Sequence, residues 1–186
     1  MKNTILLILL SLFITSCGDN TREEILDRYD DGNKKTIMKF IGEGSEEVMV
    51  EKIGYSQSGD TLVLENYNSK GEKDGKWIGY IDDYSFVKRN YKDGELDGKF
   101  THYYESGDVE EGNYKDGELD GKNTMYYENG QIENEGNYKD GELDGKWTYY
   151  YENGQISGEG NFKDGKEDGK WTYYFNNGQI KTKGNY

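Results

Sequence analysis

A chain of 186 residues with one histidine and one cysteine has little to offer nucleophilic or imidazole chemistry. His102 stands where sister segments carry Met125, Tyr149 and Tyr173, the position of a packed aromatic and not of a proton carrier. No serine occupies the Gly-x-Ser-x-Gly elbow that exposes a nucleophile. No glycine-rich loop is followed by the Lys-Ser or Lys-Thr pair of a phosphate cradle. Carboxylates are plentiful, but they return at the same place in every repeat, as surface loops do and active sites do not. Asp93, Asp97, Asp116, Asp120, Asp140 and Asp144 are oxygen donors of the kind Ca²⁺ takes. Their spacing departs from an EF-hand loop, and Asp before Gly is ordinary turn chemistry. The chain reads as no enzyme, with no cofactor and no assigned metal site.

The cysteine points to a different chemistry. It closes the segment MKNTILLILLSLFITSC, which has Lys2, an apolar run from Ile5 to Ile14 and small polar residues before Cys17. That is the order of a secretory signal, and the run is too short for a permanent membrane helix. As the lone cysteine, Cys17 has no intramolecular disulfide partner. Ile14, Thr15, Ser16 and Cys17 resemble the lipobox of bacterial lipoproteins. That resemblance implies cleavage before Cys17, lipid on its sulfur, and attachment through that lipid to the outer membrane or the outer face of the cytoplasmic membrane in the bacterial envelope. Residues 1–16 are then a signal peptide, and 17–28 the lipidated cysteine and a tether.

Composition narrows the rest. A formal charge of -14 excludes a nucleic-acid partner, whose phosphates need a basic surface, and disfavours unaided contact with anionic lipid. There are 18 Tyr, 26 Gly and no Pro, and aliphatics are scarce after the leader. Burial must come from rings, each removing ~150–250 Å² from water.

The elements that carry those rings follow from a repeat. Gly75, Gly98, Gly121, Gly145 and Gly169 each sit in Asp-Gly-Lys, 23 or 24 residues apart, a period that fits two strands and a turn. In DGKWTYYYENGQ, alternation places Trp147, Tyr149 and Tyr151 on one face and Thr148 and Tyr150 on the other. Asn153-Gly154 predicts a type I′ hairpin turn, with positive φ at both residues. Beyond it the same alternation groups Ile156 with Gly158, Gly160 and Phe162, and Ser157 with Glu159 and Asn161. The two glycines leave room for rings of the adjacent strand. Hairpins this small are stable only when stacked. The linking loops, KDGELDGK at 92–99, 115–122 and 139–146, align as an acidic edge.

Three irregularities stand out. Gly79 interrupts the tyrosines of the first clear unit, which leaves its hairpin doubtful. The second unit is one residue short between Gly107 and Tyr114, which predicts a bulge or shifted turn there. Asn123 replaces the opening tryptophan of the third.

The Asp-Gly-Lys-Trp opening, paired tyrosines, Asn-Gly turn and closing Gly-Asn-Tyr or Gly-Asn-Phe resemble the MORN repeat in its bacterial variant, as found in YwqK-type antitoxin proteins. The resemblance covers residues 74–186, five repeats, and more loosely 29–73 as capping hairpins. It implies an all-β, elongated, single-layer antiparallel sheet and a scaffolding or membrane-associated role. Five units at about 10 Å each predict a rod ~50 Å long. On the polar face, Tyr80, Tyr103, Tyr126, Tyr150 and Tyr174 form a ladder beside Thr101, Thr124, Thr148 and Thr172. Tyrosines give large contact area at low entropic cost, so this ladder is the candidate surface for a protein or envelope partner. The antitoxin label implies an alternative, an acidic protein masking a basic toxin. A third reading, choline or cell-wall binding, follows from aromatic repeats with Trp77, Trp147 and Trp171, although choline-binding repeats carry more tryptophan.

Overall fold

A computed structural model describes residues 21–42, 46–80 and 85–186, without the side chain of Tyr80. The leader and Cys17 lie outside the described residues. The chain divides into two compact units, one ending at Gly79 and one beginning at Tyr80. Both are all-β and antiparallel, and no α-helix occurs among the described residues.

The first unit contains β1 (Thr21–Arg28), β2 (Lys34–Ile41), β3 (Val48–Tyr55), β4 (Thr61–Asn66) and β5 (Gly75–Tyr80). Each pairs with the next. β1 corrects the tether, since its residues 21–28 form a strand. Only Ile25 and Leu26 of TREEILDR are apolar, so the strand carries no hydrophobic alternation. It is held instead through tertiary partners: the Arg22 guanidinium makes two hydrogen bonds to Glu47, at 2.7 and 2.8 Å, and lies 4.5 Å above the Phe40 ring. Glycine-closed turns occur at Tyr29–Gly32 and at Ser56–Gly59.

The second unit contains β6 (Phe86–Lys92), β7 (Glu95–Leu96), β8 (Gly98–Tyr103), β9 (Val109–Lys115), β10 (Glu118–Leu119), β11 (Gly121–Tyr126), β12 (Ile132–Lys139), β13 (Glu142–Tyr150), β14 (Ile156–Lys163), β15 (Lys166–Tyr174) and β16 (Ile180–Asn185). They form a meander in chain order, with β7 and β10 short returns against β6 and β9.

One face of this unit is built as the glycines foretold. Trp147 and Trp171 are 3% and 1% exposed. Each lies across a glycine of the preceding strand, where a Cβ on Gly136 or Gly160 would sit 2.3 or 2.2 Å from the indole. The indole N–H groups donate to Asn137 and Asn161 carbonyls, both at 3.1 Å. The rings interlock edge to face: Tyr138 with Trp147 at 5.5 Å and Phe162 with Trp171 at 5.1 Å. A single-layer sheet thereby acquires a core without a second layer, because flat rings cover strands that lack side chains.

Two turn expectations are corrected. Asn153-Gly154 is not type I′: Gly154 alone has positive φ, 79°. Gly154 N–H donates to Tyr151 O and Tyr151 N–H to Gln155 O, both at 2.8 Å. This is a type I turn closed by a glycine bulge. Asn153 Oδ1 accepts the Gln155 amide at 3.0 Å, which holds the asparagine in its ordinary backbone region. Turns with positive φ at both residues occur instead in the acidic loops, as at Asp140 (50°) and Gly141 (81°).

The bulge is corrected as well. The full-length hairpins carry it: Tyr149 pairs with Gly158 but Tyr150 with Ile156, so Ser157 is the extra residue. The short second hairpin pairs without interruption from Gly98↔Tyr114 to Tyr103↔Val109. Its missing residue is the bulge residue. Consequently Ile156 stands opposite Tyr150, not on the glycine face as uninterrupted alternation requires.

Candidate functional site

Directly opposed residues of an antiparallel pair share a face, and on the face away from the tryptophans the register aligns one continuous row. It runs Lys88, Thr101, Glu111, Thr124, Glu135, Thr148, Glu159, Thr172, Lys183. Thr124 and Thr148 in its centre are buried. A second row pairs the lysine after each marker glycine with asparagine: Lys99↔Asn113, Lys122↔Asn137, Lys146↔Asn161, Lys170↔Asn185.

Tyr103, Tyr126, Tyr150 and Tyr174 each follow a row threonine by two residues, so the structure brings these four candidates onto this face at equivalent heights. Their opposed partners are Val109, Ile132, Ile156 and Ile180. Tyr80 ends β5, and its side chain lies outside the described residues, as does all of Cys17.

The tyrosines are not free poles. Tyr150 donates to Glu135 Oε1 and Tyr174 to Glu159 Oε1, both at 2.9 Å. Lys122 and Lys146 hold the other oxygens at 2.8 and 2.9 Å. The result is a Lys–Glu–Tyr clasp repeated two strands apart. The lysine bond, then the tyrosine bond, draws the Glu135 and Glu159 carboxyls below the usual glutamate range. Burial first, and the Glu135 bond second, raises the Tyr150 phenol; for Tyr174 the Glu159 bond comes first. Sequence reading had placed Glu159 on the wet face without giving it a role. The findable signal was a glutamate directly before three of the four closing Gly-Asn pairs, at 111, 135 and 159, with a lysine after each marker glycine.

The equivalent Lys99, Glu111 and Tyr126 do not close a clasp. In the hairpin that lacks the bulge, a recess of about 340 Å³ opens, lined by Lys99, Thr101, Glu111, Asn113, Thr124 and Tyr126 among others.

On the ring face, Asn123 is buried and donates to Glu110 at 2.9 Å, and Glu110 accepts Tyr104 O–H at 2.7 Å. A polar triad thus fills the place of a tryptophan. His102 stacks on Tyr104, ring centroids 3.9 Å apart, as the packed reading expected. The acidic loops also stack: Gly117, Gly141 and Gly165 N–H groups donate to Leu96, Leu119 and Leu143 carbonyls at 2.9–3.1 Å. Among the described residues, no group of three or more His, Cys, Asp or Glu is placed to hold a metal ion.

Comparison with known proteins agrees with this repeat. Residues 96–116, 119–140, 143–164 and 167–186 each match the MORN repeat variant. Each matched segment from 119 onward spans one strand, its Asn-Gly turn and the returning strand. Among proteins of curated function, none matches the chain.

Proposed function

We propose that this MORN-repeat scaffold is lipid-anchored at Cys17 in a bacterial envelope and captures a partner through the tyrosine face of its second unit, without catalysis. MORN repeats are suited to such a role, being a repeat scaffold. The observation that carries the reading is the register. Four tyrosines, three glutamates and four threonines repeat in aligned rows on a face that the ring core does not consume. Repeated weak contacts along such rows add as avidity. The lipidation rests on the Ile14-Thr15-Ser16-Cys17 order.

The test replaces Tyr126, Tyr150 and Tyr174 together by Thr, which keeps strand propensity. The expected result is a folded protein that loses most capture of an envelope or host-surface partner. Undiminished capture by the folded variant refutes the tyrosine face. For the anchor, Cys17→Ala is expected to release the protein or leave the leader uncut; membrane retention at unchanged mature mass refutes it.

The stacked acidic loops favour a second reading, a basic toxin or effector masked by charge. That reading predicts capture abolished by high salt and indifferent to the tyrosine substitutions.

A further inference from the structure

The tyrosine face has a chemistry more specific than protein binding. Residues two strands apart are separated by about 9.6 Å, close to the length of one disaccharide in an extended β-1,4-linked glycan. Tyr126, Tyr150 and Tyr174 repeat at that spacing. A phenol ring offers a π-face to which the C–H face of a pyranose is attracted. Sugar hydroxyls both donate and accept, and the rows beside the tyrosines do likewise: Glu accepts, Lys donates, Thr and Asn do both.

Charge selects among occupants. Two of the three row glutamates are already neutralised, Glu135 by Lys122 and Glu159 by Lys146, so those clasps present no net charge. A basic peptide would have to displace these lysines. A polyanion must approach against the long-range field of a chain of formal charge -14, although the two rows themselves carry six lysines against three glutamates. A neutral polyol meets neither obstacle. The open clasp adds a seat: its recess of about 340 Å³ is within the range of small-ligand sites, walled by Tyr126 and lined with Thr101, Glu111, Asn113 and Thr124.

We propose that this face holds an extended β-1,4-linked glycan strand running across the β-strands, with one pyranose ring on Tyr126 in the recess beside Glu111 and the equivalent ring of the next disaccharide on Tyr150. The proposal rests on the tyrosine-face reading above and names its partner class.

The experiment titrates the full chain, in detergent, with chitohexaose, chitobiose and maltohexaose by calorimetry. Chitohexaose reaches two rungs and is expected to bind at least about tenfold more tightly than chitobiose. Maltohexaose, α-linked and coiled, is expected not to bind. The Tyr126→Thr/Tyr150→Thr pair should weaken chitohexaose at least about tenfold, the avidity of two rungs being lost. Should that pair fail to fold, Glu111→Ala serves, since this exposed carboxylate bonds neither Lys99 nor Tyr126; a loss of about threefold or more is expected, one sugar hydroxyl contact being removed. Equal binding of α- and β-linked hexamers, no binding, or indifference to these variants overturns the glycan. The same proteins are offered an envelope extract. Capture of a protein that the tyrosine pair loses, with no chitohexaose bound, overturns the glycan while the tyrosine-face reading stands; if neither is lost, both fall.

Discussion

The middle row of the first unit runs Ile25, Ile37, Ile53, Leu64 and Ile78 from strand to strand. The corresponding continuous row of the second unit alternates threonine and glutamate, and its burial sits on the other face, in tryptophans laid over glycines. The same hairpin is therefore stabilised in two ways. An aliphatic row needs only cross-strand neighbours of similar size. A ring over a glycine needs the ring, the gap and the loop length in fixed relation. The first unit can drift in sequence, whereas the second must keep a period of 23 or 24 residues. Trp77 shows the intermediate case: its N–H donates to Asn66 O at 2.9 Å and it meets Tyr67 edge to face at 5.4 Å, yet it stays half-buried, with the Lys73 ammonium 4.3 Å from its ring centroid.

Four experiments press on that contrast. Trp171→Ala removes the most buried ring of the array and is expected to cost about 3–5 kcal/mol; Trp77→Ala should cost clearly less. Denaturant midpoints followed by hydrogen exchange in each unit would show it, and equal losses would erase the distinction. Next, Gly160→Ala drives a methyl into the Trp171 indole and should cost about 3 kcal/mol or slightly more. Gly54→Ala in the first unit meets Val63, whose nearest atom, Cβ, lies at 3.2 Å. There the entropy gained by removing a glycine offsets the crowding, and the net change is expected to stay within about 1 kcal/mol.

Asn123→Ala is intermediate. It strips one donor from the partly buried Glu110, and a cost of about 1–3 kcal/mol is expected. Thermal melts check this; a neutral result would mean that water replaces the amide.

The smallest effect concerns acid. The Glu135 and Glu159 carboxyls titrate below their usual range when folded, so the clasps contribute fully above about pH 4.3, the unfolded glutamate value. That contribution is lost as pH falls through the lower folded values. Each exposed pair is worth under about 1 kcal/mol. Lys122→Met with Lys146→Met should lower stability slightly at pH 7 and flatten the acid limb of the second unit. An unchanged limb would leave the clasps without energetic weight.

Much of this was legible in the residues. Period, strand class, the ring face and the glycine gaps follow from Asp-Gly-Lys-Trp spacing and side-chain alternation, because both are local rules. The tyrosine face was legible for the same reason, Tyr103, Tyr126, Tyr150 and Tyr174 each following a threonine by two. β1 was not, since its strand character comes from Glu47 and Phe40, more than ten residues away.

By itself, then, the sequence determined the hairpin repeat, its two faces and the acidic excess, all properties of neighbouring residues. Tertiary structure alone decided three things. It made the Asn-Gly turn type I with a glycine bulge, because the turn must join the bulged register that β13 and β14 adopt within the sheet. It put the bulge in the full-length hairpins and left the short one straight, because register is settled by pairing on both sides. And it joined Lys122, Glu135 and Tyr150 into a clasp while leaving Lys99, Glu111 and Tyr126 open, because each group comes from a different strand and their meeting depends on how those strands are aligned.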